Sequence, residues 1–285
     1  MANFAGIRRD SRFSPNHTGN DNAIFELTAQ CLKERGIKVI EYTESDCAAI
    51  EEKYIFSMAR EPIVAQMLQV KENNGAVVVN SGYGVENCYR SNMTQLLMQA
   101  GIPVPASVII DCRKFTPDCI KHLGEKNFWI KRGDFHAIHK EDVSFVRNAE
   151  ECTELIREYA CRFIDTVVIC KHIDGDLVKF YGVRDVGFFY WFYPVDANHS
   201  KFGNEAINGD VRNLPFQVEM LKFVASQASS VLNIDIYGGD AIITPEGAIY
   251  LIDMNDWPSF APCRNEAAPY IANCICQKID KNRRP

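Results

Sequence analysis

The spacing of apolar residues divides the chain into two parts of different character. In the first hundred residues, short apolar runs alternate with segments in which apolar residues recur every three or four positions. One such segment, residues 20–35, is predicted to be a helix with an apolar face made of Ile24, Leu27, Cys31 and Leu32. Strands that alternate with helices indicate an open parallel sheet, so this part is predicted to be an α/β domain.

Arginines lie close to the ends of the strands predicted in this first part. The predicted strands are FAGIRR, IKVIEY, YIFSM and AVVVN, and Arg8, Arg9 and Arg60 lie at or just after the ends of two of them. Open parallel sheets bind ligands at the carboxyl ends of their strands. Because several guanidinium groups there would form an anion pocket, the three arginines are candidates for holding an anionic substrate. An ordinary surface position is the alternative for each of them.

The rest of the chain is predicted to be rich in antiparallel strands. Turn signals and one helix at 149–161 separate the runs NFWIK, VSFV, TVVICKHI, DLVKFYGV and FFYWFYP. Further helices are predicted at 87–100, 214–231 and 264–280, and a turn at 245–247 joins the strands YGGDAIIT and AIYLIDMN. This pattern predicts an α+β organisation after the first domain.

Oxygen-bearing side chains gather on one face of the last predicted hairpin. Successive side chains of a strand point to opposite faces, so Asp253 and Asn255 share a face. A turn centred near residue 246 or 247 places Asp240 opposite Asp253. Two carboxylates and an amide oxygen suit Mg²⁺, and the two glycines before Asp240 indicate close approach of a backbone or a ligand. The three side chains are therefore predicted to bind Mg²⁺, with a solvated edge whose acids never meet as the alternative.

Composition limits the classes of partner. With 285 residues, 47% of them hydrophobic, the chain is long enough for one large domain or two modest ones. A net charge of −6 argues against nucleic acid or an anionic membrane as a partner, although a small anionic substrate in a local basic pocket is compatible with it. The longest aromatic run, GFFYWFYPV, is too short to span a bilayer. Eleven scattered cysteines without a CxxC pair predict reduced thiols in a cytoplasmic protein.

The hairpin and several other segments resemble the ATP-grasp superfamily. Asp on the first strand and Asp-x-Asn on the second are similar to the metal-binding end of these enzymes. LLMQAGIPVPAS resembles the entry into their first subdomain, and VVICKHIDGDLVKFYGV resembles the segment that joins their subdomains. The resemblance implies an ATP-grasp fold preceded by an open parallel α/β (pre-ATP-grasp) domain at 1–88, with subdomains at 89–170 and 171–285.

The same resemblance implies which residues bind ATP and its metal. Asp240, Asp253 and Asn255 would hold one or two Mg²⁺ ions, with Mn²⁺ as an alternative. Lys131, at the end of the strand FWIK, matches a lysine that these enzymes keep on the nucleotide phosphates. The other implied contacts to ATP are Arg90, which stands where the family often has lysine, the backbone of Lys171, His172 and Ile173 around the adenine, and Asp176 near the ribose.

Three further cations are predicted to act in catalysis. Arg184 and Arg212 lie where the family places an arginine that steadies charge on the transferred phosphoryl group. Lys179 lies between apolar neighbours in DLVKFYGV and is predicted to face a cleft and an anion, with a position at the surface as the alternative. His136 and His139, in the loop after Lys131, are expected at the surface because no third zinc ligand is evident nearby.

Two reactions are compatible with this fold. In a ligase, ATP phosphorylates a carboxylate and an amine or thiol attacks the acyl phosphate. In a kinase, the γ-phosphate passes to a hydroxyl, as in the inositol-phosphate kinases, to which HIDGDLVKFYGV and IDMNDWPSF are also similar. We expect a ligase, because ATP-grasp enzymes with an N-terminal domain of this shape are mostly ligases. A nucleotide-binding protein without chemistry is a third alternative, and a homodimer is an open one.

Overall fold

Four parallel strands form the sheet of the first domain. They are β1 (Asn3–Ile7), β2 (Lys38–Tyr42), β3 (Tyr54–Ser57) and β4 (Val77–Val79), and they lie in the order β2-β1-β3-β4. The computed structural model describes residues 3–15, 18–194 and 207–283, and it confirms the parallel organisation predicted for this part. Because β1 ends at Ile7, Arg8 and Arg9 lie just beyond the strand and not within it.

The first four helices are α1 (Thr18–Glu34), α2 (Pro62–Asn73), α3 (Gly82–Asn87) and α4 (Arg90–Gln99). The helix predicted at 87–100 corresponds to α4 in the structure, and a separate short helix, α3, precedes it. Tyr89, between α3 and α4, has an extended backbone, with φ −61° and ψ 138°. An extended residue interrupts the helical hydrogen bonds, so a new helix begins after it. The break makes Arg90 the first residue of α4, where its side chain is buried.

The second sheet is antiparallel and carries one helix on its face. Its strands are β5 (Ser107–Asp111), β6 (Phe128–Arg132), β7 (Val143–Val146) and β8 (Thr166–Lys171), in the order β5-β8-β6-β7. The helix is α5 (Ala149–Cys161), and Cys152, Ile156 and Tyr159 on its inner face share a core with Phe128 and Ile130 of β6. Buried apolar faces of a sheet and a helix packed on each other account for this layer.

The third sheet is also antiparallel and contains the last hairpin. Its strands are β9 (Asp176–Val183), β10 (Phe188–Phe192), β11 (Ile236–Ile243) and β12 (Ile249–Asp256), in the order β10-β9-β11-β12. The helix α6 (Val218–Val231) packs on this sheet through Leu221, Ala225 and Ala228. The two antiparallel sheets confirm the α+β organisation predicted for the second part of the chain.

The last helix returns to the first domain. Ala267, Ile271 and Ile275 of α7 (Arg264–Arg283) share a core with Ile24 and Phe25 of α1. Trp257, just after β12, is fully buried, and its ring lies 6.1 Å from that of Phe56. These contacts hold the end of β12 beside the carboxyl ends of β1 and β3.

The domain boundaries at 88 and 170 stay a prediction. In the described ranges, none of the helices has the length and apolarity that a membrane span needs.

Close approach of the two hairpin strands depends on Gly239. A Cβ at this position would overlap the backbone oxygen of Asp253 and would lie 2.6 Å from the ring of Phe180. We expect Gly239→Ala to lower the free energy of unfolding by about 1–3 kcal/mol, because neither neighbour can move without disturbing the sheet. The shift of the midpoint of urea unfolding measures this loss of stability.

The matched control for this change is Gly19→Ala in α1. A Cβ at Gly19 would meet nothing within 4 Å, so the variant should keep its stability or gain up to about 1 kcal/mol. Equal effects of the two substitutions would contradict the close approach at Gly239.

Candidate active site

The β11–β12 hairpin brings the predicted metal ligands together. Asp240 pairs directly with Asp253, and Gly238 pairs with Asn255. The register confirms the prediction from the turn centre, and a bulge follows Asp240, between Asp240 and Ala241. All three polar side chains line one central cavity. The alternative of acids that never meet is therefore wrong.

Each carboxylate of this pair contacts a cation from another element. Arg90 Nη1, at the start of α4, donates to Asp253 Oδ1 at 2.8 Å. Lys179 Nζ, from β9, donates to Asp240 Oδ1 and Oδ2 at 3.1 and 3.3 Å. The four side chains retain between 7% and 25% of their exposure. Partly buried ion pairs of this kind satisfy two carboxylates that would otherwise repel each other across the hairpin.

Lys131 of β6 adds a third cation to this group. Its ammonium donates to the backbone oxygen of Ile252 at 2.9 Å, between Leu251 and Asp253 of β12. The residue is 8% exposed, and burial lowers the pKa of its ammonium below the ordinary value of 10.5. Lys131 and the candidate metal ligands therefore line the same cavity.

The central cavity has a cationic lining although the protein is acidic. Among the described residues, six lysines and arginines line it: Arg9, Arg60, Arg90, Lys131, Lys171 and Lys179. Three aspartates line it as well: Asp21, Asp240 and Asp253. The surplus of positive charge in a chain of net charge −6 creates a local field that attracts a small polyanion.

The pairing of β9 with β11 fixes the order of groups along the cavity. Leu177 lies opposite Ile242, Lys179 opposite Asp240, and Tyr181 opposite Gly238. Alternate residues of a strand are roughly 7 Å apart. The three pairs therefore lie at three successive positions along the cavity, which we call levels. An apolar level therefore adjoins the level of the candidate metal ligands, and the third level faces the first domain.

The apolar level has the character of a site for a flat ring. Leu177 and Ile242 form it, and the same cavity is also lined by the apolar side chains of Trp129, Val143 and Ile173. The end of β8 and the segment after it contribute two of the predicted adenine contacts, Lys171 and Ile173, to the cavity lining. The N–H groups of Lys171 and His172 donate to Ala106 and Asn127, each at 2.9 Å, so strand pairing already uses these two donors.

At the first-domain end, two of the three predicted arginines reach the cavity. The side chain of Arg9 is 3% exposed and contacts Asp21 at 3.2 Å, and Arg60 contacts Asp256 at 3.2 Å. Arg8 does not line the cavity, and its prediction as a substrate ligand is corrected. Its guanidinium contacts Glu41 and stacks over the ring of Phe25.

Asp256 contacts both arginines at this end of the cavity. Its carboxylate lies within 3.2–3.6 Å of nitrogen atoms of Arg9, Arg60 and His136. Its backbone oxygen accepts hydrogen bonds from both arginines, at 3.2 and 3.1 Å. His136 is 5% exposed, so the expectation of a surface histidine is wrong. In the sequence, no signal set His136 apart, because its burial depends on the loop after β6 reaching the end of β12.

Four other predicted ligands are not brought into the cavity lining. Arg184 donates to Asp235, and Arg212 contacts Asp174 and Asp176, so neither is placed to act on a transferred phosphoryl group. Asp176 is 2% exposed, and its oxygens accept from the N–H groups of residues 212 and 214. The ring of His172 accepts a hydrogen bond from Trp129 at 3.1 Å. Local folding contacts satisfy these side chains, and sequence position alone did not reveal this. The prediction for His172 concerned its backbone and stays a prediction.

The donor set fits a small divalent cation. Among the described residues, no three His, Cys, Asp or Glu side chains form a metal-binding group, so the candidate site consists of two carboxylates and the Asn255 amide. Cationic nitrogens already contact both carboxylates, which indicates that positive charge is stabilised at this point. Oxygen ligands from a rigid hairpin suit Mg²⁺, which completes its shell with water and phosphate oxygens.

The three sheets, with a charged cavity between them, constitute the ATP-grasp fold. D-alanine–D-alanine ligase from Bacillus anthracis, complexed with ATP, is similar at a TM-score of 0.72 and 12% identity over 99% of both chains. D-alanyl-alanine synthetase A from Vibrio cholerae is similar at 0.67 and 12%, over 98% of this chain and 99% of that one. The ATP-grasp ligase PsnB, complexed with a minimal precursor, is similar at 0.61 and 12%, over 97% and 99%.

These likenesses establish the fold and confirm the ATP-grasp fold that the sequence resemblance implied. No protein-family model matches the chain, and no curated protein matches it significantly. At 12% identity, the reaction has to be argued from the site itself.

Proposed function

We propose that the chain is an ATP- and Mg²⁺-dependent ligase that activates a carboxylate as an acyl phosphate for attack by an amine or thiol. The observation that carries this proposal is the Asp240–Asp253 pair, surrounded by Lys131, Lys179 and Arg90 in one cavity. The similarity to ligases, one of them complexed with ATP, supports the same class. The eleven free cysteines support a reducing compartment such as the cytoplasm.

The order of levels along the cavity supports the following proposed place for each part of the reaction. The adenine would lie at the apolar level of Ile173 and Leu177, and the phosphates would lie beside Lys131, Lys179 and Arg90. Asp240, Asp253 and Asn255 would hold Mg²⁺, which neutralises charge on the phosphate oxygens. The acid substrate would then approach from the first-domain end, where Arg9 and Arg60 line the cavity.

The chain contributes mainly position and charge to such a reaction. A carboxylate oxygen of the substrate attacks the γ-phosphorus, the bond to the β–γ bridging oxygen breaks, and ADP leaves. The lone pair of the amine or thiol then attacks the acyl carbon, the bond from that carbon to the phosphate oxygen breaks, and the proton lost by the nucleophile leaves with the phosphate as hydrogen phosphate. Preorganised cations stabilise the charge that develops in both steps. We place Lys179 and Arg60 at this task instead of the predicted Arg184 and Arg212, because both line the cavity.

Phosphorus NMR of the protein with ATP, Mg²⁺ and pooled metabolites tests the reaction class. We expect free phosphate and ADP to appear only when an acid and an amine or thiol are both present. A stable new phosphate ester would instead identify a kinase and would overturn the ligase proposal. Division of the active pool then identifies the substrates, which we propose to be small and anionic.

The lowered pKa of Lys131 gives ATP binding a characteristic pH dependence. The ammonium holds the phosphates only when protonated, so the affinity should fall as pH rises through its pKa in the free protein, below 10.5. Calorimetric titration of MgATP from about pH 7 to 10 at constant ionic strength measures this fall. Lys131→Arg is the control, because arginine stays protonated throughout. An alkaline fall of the same size in this variant would exclude Lys131 as its source.

A further inference from the structure

Tyr181 brings a phenol into the cavity, one level beyond the candidate metal ligands. Side chains alternate along a strand, and Leu177, Lys179 and Tyr181 of β9 line the cavity. Val178 and Phe180, between them, are buried in the core that β9 shares with α6. Within the described part of the chain, Tyr181 is the one tyrosine in the cavity lining. It therefore adds a neutral hydroxyl to a lining rich in charges.

Close packing fixes the ring of Tyr181. Its partner on β11 is Gly238, and a Cβ at Gly238 would lie 2.7 Å from the ring and 2.8 Å from Pro258. The ring therefore occupies space that any residue larger than glycine would fill. The ring centroids of Phe192 and Phe260 lie 5.7 and 5.0 Å from it. A donor held in this way needs no reorganisation when the reaction begins.

The hydroxyl of Tyr181 is open to a ligand. No group in the described ranges forms a hydrogen bond with it, although the residue is half-buried. A phenol ordinarily has a pKa of about 10, and burial raises the pKa of Tyr181 further. The hydroxyl is therefore protonated around neutral pH, and it is a hydrogen-bond donor rather than a general base.

The proposed function puts the reacting carbon at the level of this hydroxyl. The transferred phosphate would lie beside Lys179, and the acid substrate would approach past Arg9 and Arg60 at the first-domain end. The acyl carbon is bonded through oxygen to the transferred phosphorus. It would therefore lie between these two places, beside Tyr181.

We infer, on the basis of the proposed function, that Tyr181 is a further catalytic residue that donates a hydrogen bond to the carbonyl oxygen of the acyl phosphate. When the lone pair of the amine or thiol forms its bond to the acyl carbon, the carbonyl electron pair moves onto this oxygen. The pair returns when the bond from carbon to the phosphate oxygen breaks, and Tyr181 keeps its own proton throughout. One preorganised donor to such an oxyanion contributes roughly 10²–10³ in rate.

Tyr181→Phe removes the hydroxyl and keeps the ring. With saturating MgATP and the active metabolite pool of the NMR experiment, we expect this variant to release phosphate roughly 100-fold more slowly than the wild type. Its affinity for MgATP, measured by calorimetry, should stay within roughly 3-fold, because the lost contact forms with the acyl group and not with the nucleotide. A purely structural role of the ring would leave turnover unchanged as well.

Tyr190→Phe is the matched control. Tyr190 lies directly opposite Tyr181 on β10 and packs against the same apolar core, but it does not line the cavity. Loss of its hydroxyl should leave turnover within roughly 3-fold of the wild type. If Tyr181→Phe does not fold, as judged by circular dichroism, Tyr181→Leu takes its place and Tyr190→Leu becomes the control.

A partial reaction identifies the step in which Tyr181 acts. With the acid fraction of the active pool and no nucleophile, movement of an ¹⁸O label from the β–γ bridge of ATP to a nonbridging β position reports reversible formation of the acyl phosphate. Charge does not yet develop on the carbonyl oxygen in this step. We therefore expect the exchange rate of Tyr181→Phe to stay within roughly 3-fold of the wild type, while the complete reaction slows roughly 100-fold.

The outcomes separate the inference from the proposed function. Turnover of Tyr181→Phe within roughly 3-fold of the wild type, or equal losses in the partial and the complete reaction, would overturn the inference and leave the ligase proposal intact. A stable phosphate ester formed by the wild-type protein, or no consumption of ATP with any pool, would overturn the proposed function and the inference together.

Discussion

Asp253→Asn is expected to reduce ATP-dependent turnover roughly 10³-fold. The substitution keeps the shape of the side chain but removes one of the two charges that face each other across the β11–β12 hairpin. A metal ion contributes several kcal/mol of charge stabilisation in phosphoryl transfer, and about 4 kcal/mol corresponds to this loss in rate. The release of phosphate from ATP, measured at saturating Mg²⁺ in the presence of the active substrate pool, reports the effect.

Folding has to be checked in the same variant, because Asp253 also contacts Arg90, whose side chain is 7% exposed. The free energy of unfolding, obtained from the urea midpoint, should fall by much less than the about 4 kcal/mol that corresponds to the loss in rate. Asp174→Asn is the control: Asp174 is exposed, contacts Arg212 and does not line the cavity, so its turnover should stay near that of the wild type. Asp253→Asn with wild-type turnover would contradict the assignment of the metal site.

Asp256→Ala is expected to produce the largest loss of stability, about 3–5 kcal/mol in the free energy of unfolding. The carboxylate is 2% exposed and lies 3.2 Å from Arg60, 3.3 Å from His136 and 3.6 Å from Arg9. Its removal leaves two buried guanidinium groups with fewer counter-charges, and the cost of uncompensated buried charge exceeds the value of an exposed ion pair. Equilibrium unfolding in urea, followed by tryptophan fluorescence, measures the change.

The exposed Arg212–Asp174 pair provides the comparison. Its side chains retain 41% and 69% of their exposure, so Asp174→Ala should cost no more than about 1 kcal/mol. A similar loss of stability in the two alanine variants would mean that Asp256 does not hold the arginine pair together. A large loss for Asp256→Ala with little change for Asp174→Ala would agree with the buried network.

The candidate site divides into a part that sequence spacing predicted and a part that it did not. Alternation along a strand and the centre of one turn were enough to place Asp240, Asp253 and Asn255 on one face, because a hairpin register is a local property. The arginines near strand ends were predicted only as a group. Arg9 and Arg60 reach the cavity, whereas Arg8 contacts Glu41, and the difference lies in the direction that each side chain takes after its strand.

Sequence position was least informative for residues whose partners are distant along the chain. Arg184 and Arg212 were expected at the phosphates, but Asp235 and Asp174 hold them elsewhere. His136 was expected at the surface and is buried beside Asp256. A charged side chain takes the nearest compensating partner that the fold offers, and the identity of that partner depends on how separate sheets pack.

The sequence by itself determined the parallel first sheet, the antiparallel second part and the opposed acids of the hairpin. Each of these follows from hydrophobic periodicity or from turn geometry, which act over a few residues. Only the tertiary structure decided which cations meet those acids: Arg90 through the break before α4, and Lys179 through the pairing of β9 with β11. It also decided that Asp256 lies between Arg9 and Arg60. These contacts join segments far apart in the chain, and packing of the three sheets, rather than any local pattern, brings them together.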